Sequence, residues 1–488
     1  MPVGWHVVKK IAVDWVEKHK PQLIEISNRI WELAELGLLE FKSAALLADT
    51  LGEYGFQVQR GVADMPTAFV AEFGKGRPII GMMGEYDALP GLSQKAVPTR
   101  EPIIEGAPGH GCGHNIHGTS ALGGAIATKI AMEQNNLKGT IRFYGTPAEE
   151  NYGGKLFLIR DGFFDDVDAV ISHHPGRVNS AFIGSSNAIK SCKFHFYGKT
   201  AHAAGAPELG RSALDAIELM NVGVNFLREH VIDDARIHYV IEQGGTQPNI
   251  VPDYARSWYF VRAPEMDQLE FIYQRILKIA NGADLMTGTT HTVEEQMGYH
   301  NIIPNKQLST LIIANMREIG PPQYDTKEIQ FSKTIIQDLT LDEKRATLRT
   351  LKHPRWDEFI DVTLCDTVED PWDEGLVWPA SSDVGDVSWK APTLEFYTTT
   401  SALVDPFHSW RTVAHSGMSI GHKSLIFAAK TLATTALDLL TKPDALKQVQ
   451  EEFKQRMKGK SYKSPIPPDM KPPHELARKQ AESYRPPE

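Results

Sequence analysis

The stretch RPIIGMMGEYD, Arg77–Asp87, places a short apolar run directly before two acidic residues, Glu85 and Asp87. A nearly continuous apolar run of this length is typical of a strand that is buried on both faces of an α/β sheet. Ligands of open α/β sheets bind just beyond the carboxyl ends of the strands. The stretch therefore predicts a buried strand that leads carboxylates into a ligand site.

Three further apolar segments end in ionisable residues. Four such segments predict a mostly parallel sheet whose carboxyl edge gathers acids and histidines. The three segments are GTIRFYG (139–145) before Glu149 and Glu150, DAVISHH (168–174) with His173 and His174, and TLEFYTTT (393–400) shortly before His408 in DPFHSW.

The loop GHGCGHNIHGT, residues 109–119, contains one of only three cysteines in the chain. The thiolate of Cys112 and the imidazole of His114 can both reach a metal ion from one glycine-hinged turn. A buried structural cysteine and a Cys-His nucleophile are the alternatives that this loop alone leaves open.

Adjacent side chains in extended backbone point in opposite directions. Only one residue of the Glu149–Glu150 pair and one of the His173–His174 pair should therefore bind metal. With Cys112, His114 and His408, they form a set of nitrogen, oxygen and sulfur donors sized for two cations. Asp87 is suited to orient one of these ligands from behind.

The composition limits the function classes. The formal net charge of -10 argues against a general nucleic-acid-binding surface. Three cysteines cannot build a disulfide framework and indicate a reducing compartment, so the cytoplasm is expected. No window of the sequence is expected to be long and apolar enough to cross a membrane.

A chain of 488 residues predicts more than one domain. Residues 190–299 show the order β-α-β-β-α-β, with helical runs at 212–230 and 265–280, which predicts an inserted ferredoxin-like domain. Residues 1–189 and 300–455 are then expected to form the catalytic domain. Residues 456–488, rich in proline and charge, predict an extended or mobile tail. The stretch 320–380 receives no assignment.

The motifs together resemble the dinuclear metallo-amidohydrolases, a family that includes aminoacylases, carboxypeptidase G and the plant auxin-conjugate hydrolases. The likeness extends over about residues 20–440. The segments that carry it are MGEYDALPGLSQ, GHGCGHNIHGT, GTPAEE, HHP, GKTAHAAGAPELGRSALDA, GGTQPNIVPDYA, SSDVGDVSW and FHSW. SSDVGDVSW departs from many relatives, which carry a shorter acidic motif.

The resemblance implies a zinc-peptidase-like catalytic domain and a lid domain that also dimerises the protein. It implies two divalent metal ions, zinc or manganese. Glu149 resembles the general base, and Asp87 resembles the aspartate that positions the site. His202 and Asn249 resemble lid residues that face the substrate, His202 across a dimer interface, and Arg262 is a weaker match for a substrate-binding residue. The implied ligands are Cys112 as a bridging thiolate, His114, Glu150, His174 and His408.

The expected reaction is hydrolysis of the amide bond in an N-acyl amino acid or an aryl-acyl glutamate. A dipeptidase or a general N-acyl amino-acid deacylase would use the same site with a different pocket. A non-catalytic subunit of a hetero-oligomer and a cysteine hydrolase that uses Cys112 are alternatives from other classes.

Overall fold

Strands and helices alternate along most of the chain in the computed structural model, which describes residues 5–484. The strands are β1 (Gln57–Arg60), β2 (Phe69–Lys75), β3 (Ile79–Gly84), β4 (Gly139–Gly145), β5 (Ala169–Gly176), β6 (Ser185–Ser186), β7 (Ala188–Tyr197), β8 (Arg236–Gln243), β9 (Tyr254–Ala263), β10 (Thr290–Tyr299), β11 (Val377–Trp378) and β12 (Thr393–Thr399). The α-helices are α1 (Trp5–Leu33), α2 (Phe41–Glu53), α3 (His114–Asn135), α4 (Gly154–Arg160), α5 (Ala213–Leu227), α6 (Met266–Thr287), α7 (Lys306–Ile319), α8 (Thr326–Ile335), α9 (Leu341–Arg349), α10 (Val384–Lys390), α11 (Trp410–Ser416), α12 (Ser419–Thr441), α13 (Pro443–Arg456) and α14 (His474–Ser483).

The four apolar segments predicted as strands lie side by side in a six-stranded sheet. Its order is β1-β2-β4-β3-β5-β12. Strands β4, β3, β5 and β12 run parallel, and β2 joins β4 antiparallel. The predicted α/β fold with a mixed, mostly parallel sheet is confirmed, and the carboxyl ends of the four parallel strands share one edge.

Alternating side chains of these strands pack into two cores. Met82 and Ile171 face the core formed with α1, α3 and α12. Their chain neighbours Met83 and Val170 face a second core with α4 and α10. Because both faces are covered, the strands are apolar at nearly every position, as the sequence indicates.

Helix α12 corrects one sequence expectation. By length and composition it could cross a membrane, with a mean hydropathy of 1.2 over its most apolar window. In the fold, 89% of that window is buried inside the protein, where α12 packs on α1 and α3. A core helix of this length passes the same test as a spanning helix.

Residues between β7 and β10 form a separate antiparallel sheet of order β10-β7-β9-β8. Helices α5 and α6 pack on one face of it through Met220 and Ile276. The chain order β7-α5-β8-β9-α6-β10 is that of a split βαβ motif. Helix α6 extends beyond the predicted end at residue 280. The sequence does not predict its last turns, because Leu285 and Met286 are exposed there and break the apolar periodicity.

The stretch without a sequence assignment contains α8, α9 and a short 3-10 helix. Both α-helices begin with a capping box, formed by Asp325 with Glu328 and by Thr340 with Glu343. Ile335 and Leu348 pack against the loop that follows β12. The capping boxes are a sequence signal that could have located both helices.

The C-terminal tail is packed rather than free over residues 456–484, and the last four residues of the predicted tail, 485–488, lie outside the described residues. Its extended part continues into α14, and Ile466 and Ala477 are each only 3% exposed in the second core. The carbonyl oxygens of Lys463 and Met470 accept hydrogen bonds from His300 and Arg160. Of the predicted alternatives, an extended or a mobile tail, the mobile one is wrong for residues 456–484, because composition alone does not reveal that Ile466 and Ala477 pack into the second core.

We expect Ile466→Ala to lower the free energy of unfolding by about 2–4 kcal/mol, because the substitution leaves a cavity in the second core. Leu476→Ala is the matched control: Leu476 is 41% exposed in the same tail, and its loss should cost less than about 0.5 kcal/mol. Urea unfolding of both variants checks this. Equal, small effects would contradict the packed tail.

Candidate metal centre and active site

The carboxyl edge of the parallel sheet carries the predicted site. Strand β3 leads into Glu85 and Asp87, β4 leads into Glu149 and Glu150, and β5 carries His174 two residues before its end. The loop after β12 brings His408, whose backbone N–H donates to the carbonyl oxygen of Gly111 at 3.1 Å. Residues far apart in sequence therefore meet in one place.

Glycines allow the cysteine loop to approach its neighbours closely. Gly113 has a φ of +78°, and a Cβ atom there would lie 3.0 Å from Pro175. A Cβ atom on Gly111 would lie 2.4 Å from the side chain of Leu92. Any larger residue at either position would displace the loop, which explains the glycine spacing around Cys112.

Five predicted ligands form two groups that share one atom. The ligand atoms of Cys112, His114 and His174 lie within 4.8 Å of one another, and so do those of Cys112, Glu150 and His408. The Cys112 sulfur is 3.4 Å from Nε2 of His174. Cys112 belongs to both groups, so it would be the shared ligand if each group held an ion.

Hydrogen bonds fix the ring states of the histidines. His114 donates from Nδ1 to Asp87 at 2.8 Å, and His174 donates from Nδ1 to the carbonyl oxygen of Pro175 at 2.7 Å. In its neutral form each ring therefore keeps the Nε2 lone pair for a metal, and Nε2 of His114 lies 3.2 Å from Oε2 of Glu85. His173 uses both nitrogens, in contacts with Ser120 and Thr398. Of these two adjacent histidines, His174 is therefore the candidate metal ligand.

Asp87 links the two groups. One carboxylate oxygen accepts from His114, and the other accepts from the backbone N–H of Glu150 at 2.9 Å. One carboxylate thus contacts a member of each group, and the orienting role of Asp87 stays a prediction.

Several buried atoms at the site form no hydrogen bond within residues 5–484, among them Oε1 of Glu150 and Nε2 of His114, although Nε2 of His114 lies 3.2 Å from Oε2 of Glu85. Burial, followed by the charge of Glu150, raises the pKa of the Cys112 thiol well above its usual range. Burial raises the pKa of Glu150 to about 7. Divalent cations would bind these ligand atoms and would stabilise the ionised forms of the thiol and the carboxyl. The residues therefore fit a metal centre.

A further buried group, Glu85, His117 and Glu395, also lies within metal-binding distance. The backbone N–H of Glu85 donates to Nδ1 of His117 at 3.0 Å. Nε2 of His117 must then carry the ring proton, and it faces the carboxylates of Glu85 at 3.5 Å and Glu395 at 3.7 Å. A protonated ring nitrogen cannot bind metal. We therefore infer that Glu85, His117 and Glu395 support the site from below through hydrogen bonds.

A buried lysine explains part of SSDVGDVSW. Lys155 Nζ lies 2.6 Å from Glu85 and 2.6 Å from Asp383. Asp386 accepts from the backbone N–H of His300 at 2.9 Å. Both aspartates are therefore engaged within the catalytic part of the chain. Sequence reasoning missed Lys155, Asp383, His117 and Glu395, although Glu85 was visible at the end of its strand.

Glu149 differs from its neighbour Glu150. Its carboxylate forms no hydrogen bond in the described part of the chain, and it lies within 4.8 Å of the ligand atoms of Glu85 and His114. Burial, with the charges of Glu85 and Glu150, raises its pKa well above the usual range. The side chain is therefore available to exchange a proton with a bound molecule.

The predicted lid residues lie apart from this cluster. His202 and Asn249 are exposed on adjacent loops, joined by a hydrogen bond from the N–H of Ala203 to the carbonyl oxygen of Asn249. Nδ1 of His202 accepts from the N–H groups of Ala204 and Gly205, which leaves Nε2–H as a donor. Arg262 donates to Ser381, the first residue of the SSDVGDVSW segment, at 3.0 Å.

Comparisons with known proteins agree with this fold and site. Residues 81–332 match peptidase family M20/M25/M40. The chain is 40% identical to one of the subunits of p-aminobenzoyl-glutamate hydrolase from Escherichia coli, over 94% of this chain and 97% of that protein. It is 29% identical to the mouse Xaa-Arg dipeptidase over 92% of each.

A solved structure, a dinuclear metal binding peptidase of the M20 family from Bacillus subtilis, superimposes with a TM-score of 0.57 at 17% identity, covering 87% of this chain and 99% of that one. The chain thus belongs to peptidase family M20/M25/M40. It is a metal-dependent amidohydrolase of that family.

We expect His174→Ala to lose about one equivalent of tightly bound zinc, because three protein ligands hold each ion of a typical catalytic site. His173→Asn should keep the full metal content, since both ring nitrogens of His173 are engaged elsewhere. Elemental analysis after dialysis of the two variants measures this. Metal loss from the His173 variant alone would reverse the assignment.

Proposed function

We propose that the protein hydrolyses the amide bond of an N-acyl amino acid, with p-aminobenzoyl-glutamate as the favoured substrate. The observation that carries the proposal is the pair of ligand groups that share Cys112 beside the unpartnered carboxylate of Glu149. The 40% identical relative is named for that hydrolysis, which supports this substrate.

Cys112, His114, Glu150, His174 and His408 would hold two divalent cations. A thiolate together with imidazoles suits zinc, and manganese is the alternative. When bound, such cations polarise a substrate carbonyl and lower the pKa of water. Asp87 keeps His114 and Glu150 in position for this arrangement.

Glu149 acts as the general base and then as the general acid. It accepts a proton from the attacking water and delivers that proton to the leaving nitrogen. The raised pKa of its carboxyl suits both steps, because a proton once accepted is held long enough to be passed on. The positive charge of Lys155 offsets the negative charge of two carboxylates near Glu149, those of Glu85 and Asp383.

The segment from β7 to β10 forms a lid and a dimer contact in this proposal. Strand β8 pairs only with β9 among the described residues, so it offers an open edge. Val240 on that strand is 55% exposed, and Phe226 on α5 is 73% exposed. A homodimer that covers this surface would bring Nε2–H of His202 to the partner's site, where it donates to the substrate oxygen.

A hetero-oligomer is the alternative assembly. The 40% identical relative is named as one subunit of its enzyme, which implies that the enzyme contains another kind of chain. We also propose that the protein is located in the cytoplasm, because its three free cysteines suit a reducing compartment.

We expect Glu149→Gln to lower kcat about 10²–10⁴-fold while bound metal stays unchanged, because the proton acceptor is lost but no ligand is. Steady-state hydrolysis of p-aminobenzoyl-glutamate and elemental analysis measure the two quantities. Chelation should abolish wild-type activity, and added divalent cation should restore it. Activity that survives chelation would favour the cysteine hydrolase instead.

Mixing two inactive variants tests the lid proposal. If His202 acts in the partner's site, co-refolded His202→Ala and Glu149→Gln protomers should recover up to about a quarter of wild-type activity, since half of random dimers then hold one complete site. Each variant refolded alone is the control. No recovery in a mixture proven to contain mixed dimers would place His202 outside the partner's site.

A further inference from the structure

Arg177 occupies a position next to both ligand-bearing loops. It follows β5 directly and lies three residues after His174. Its carbonyl oxygen accepts from Thr399 at the end of β12, at 3.5 Å. Its guanidinium donates to Oγ1 of Thr350, just after α9, at 3.2 Å. The side chain therefore lies between the carboxyl edge of the sheet and the segment that contains α8 and α9.

This guanidinium has no carboxylate partner. Within residues 5–484, Arg177 forms no ion pair, and the contact with Thr350 uses one of its five N–H groups. Burial, which outweighs the charge of Asp405, lowers its pKa. A partly buried arginine without a counter-ion is uncommon, because desolvation of the charge is not offset.

The acid whose charge acts on Arg177 is already engaged. Asp405, three residues before His408, accepts from Ser409 at 3.1 Å and from Thr412 at 3.3 Å. It also lies 3.6 Å from Nδ1 of His415. By contrast, Arg411 in the same region has its own carboxylate, that of Asp338, at 2.6 and 2.8 Å. Arg177 thus has no carboxylate of its own, lies three residues after His174 in the chain, and feels the charge of Asp405, which precedes His408 by three residues.

We propose that Arg177 binds a carboxylate of the substrate and makes the enzyme selective for acidic N-acyl amino acids. The inference rests on the proposed function of the site. A guanidinium binds a carboxylate through two parallel N–H···O bonds, which adds direction as well as charge. The same positive charge disfavours a substrate with an arginine side chain.

The test compares the wild type and Arg177→Met on three substrates: p-aminobenzoyl-glutamate and its α-amide and γ-amide. The variant should lose about 10- to 100-fold in kcat/KM on the diacid, mainly through KM, as expected for a charged hydrogen-bonded pair. On one of the two amides, which lacks the carboxylate that Arg177 binds, the same substitution should change kcat/KM by less than about threefold. Arg177→Lys should fall between the two.

Arg411→Met is the matched control, because it removes a paired arginine from the same region. Any loss that it causes should be equal on all three substrates. An equal loss for Arg177→Met on all three would overturn the proposal and give Arg177 a structural role.

Binding separates this inference from the proposed function. If the wild type cleaves none of the three compounds, the proposed function fails, and the affinities of N-acetyl-glutamate and its two amides for the metal-loaded protein decide the role of Arg177. Calorimetry should then show weaker binding of the diacid to Arg177→Met, with one amide unaffected. Equal diacid affinity in the wild type and the variant would overturn the proposal.

Discussion

The sharing of one sulfur atom between two groups of candidate metal ligands is the constraint on which this account of the structure depends. Cys112 can serve both groups only if the ends of β4 and β5, the loop before α3 and the loop after β12 meet at one point. A parallel sheet provides that meeting, because the carboxyl ends of adjacent strands lie along one edge. The helices on both faces then bury the strands and hold the edge rigid.

Backbone conformation adapts to this convergence at a few positions. Ala148 and His408 both adopt a positive φ, at 60° and 59°, although neither is glycine. One directly precedes Glu149, and the other is itself in the second ligand group. Left-handed backbone at non-glycine residues is costly and persists where the surroundings enforce it. The hydrogen bond from Ala148 N–H to buried Glu40 is one such restraint.

The sequence predicts the edge of the sheet well, because apolar runs that end in ionisable residues are a local signal. It predicts the five ligands largely through family resemblance, since the alternation of side chains alone leaves His173 and His174 equivalent. The hydrogen bonds of His173 to Ser120 and Thr398 separate the two, and both partners are distant in sequence. The partners of Lys155 are likewise distant, so its role cannot be predicted locally. The packing of Ile466 depends on a pocket that exists only in the folded chain.

X-ray absorption at the metal edge of the zinc-loaded protein tests the shared thiolate most directly. The account predicts a sulfur neighbour at about 2.3 Å from zinc and a second zinc at about 3.5–4 Å, with both signals lost in Cys112→Ala. A spectrum with only nitrogen and oxygen neighbours, unchanged by that substitution, would contradict it.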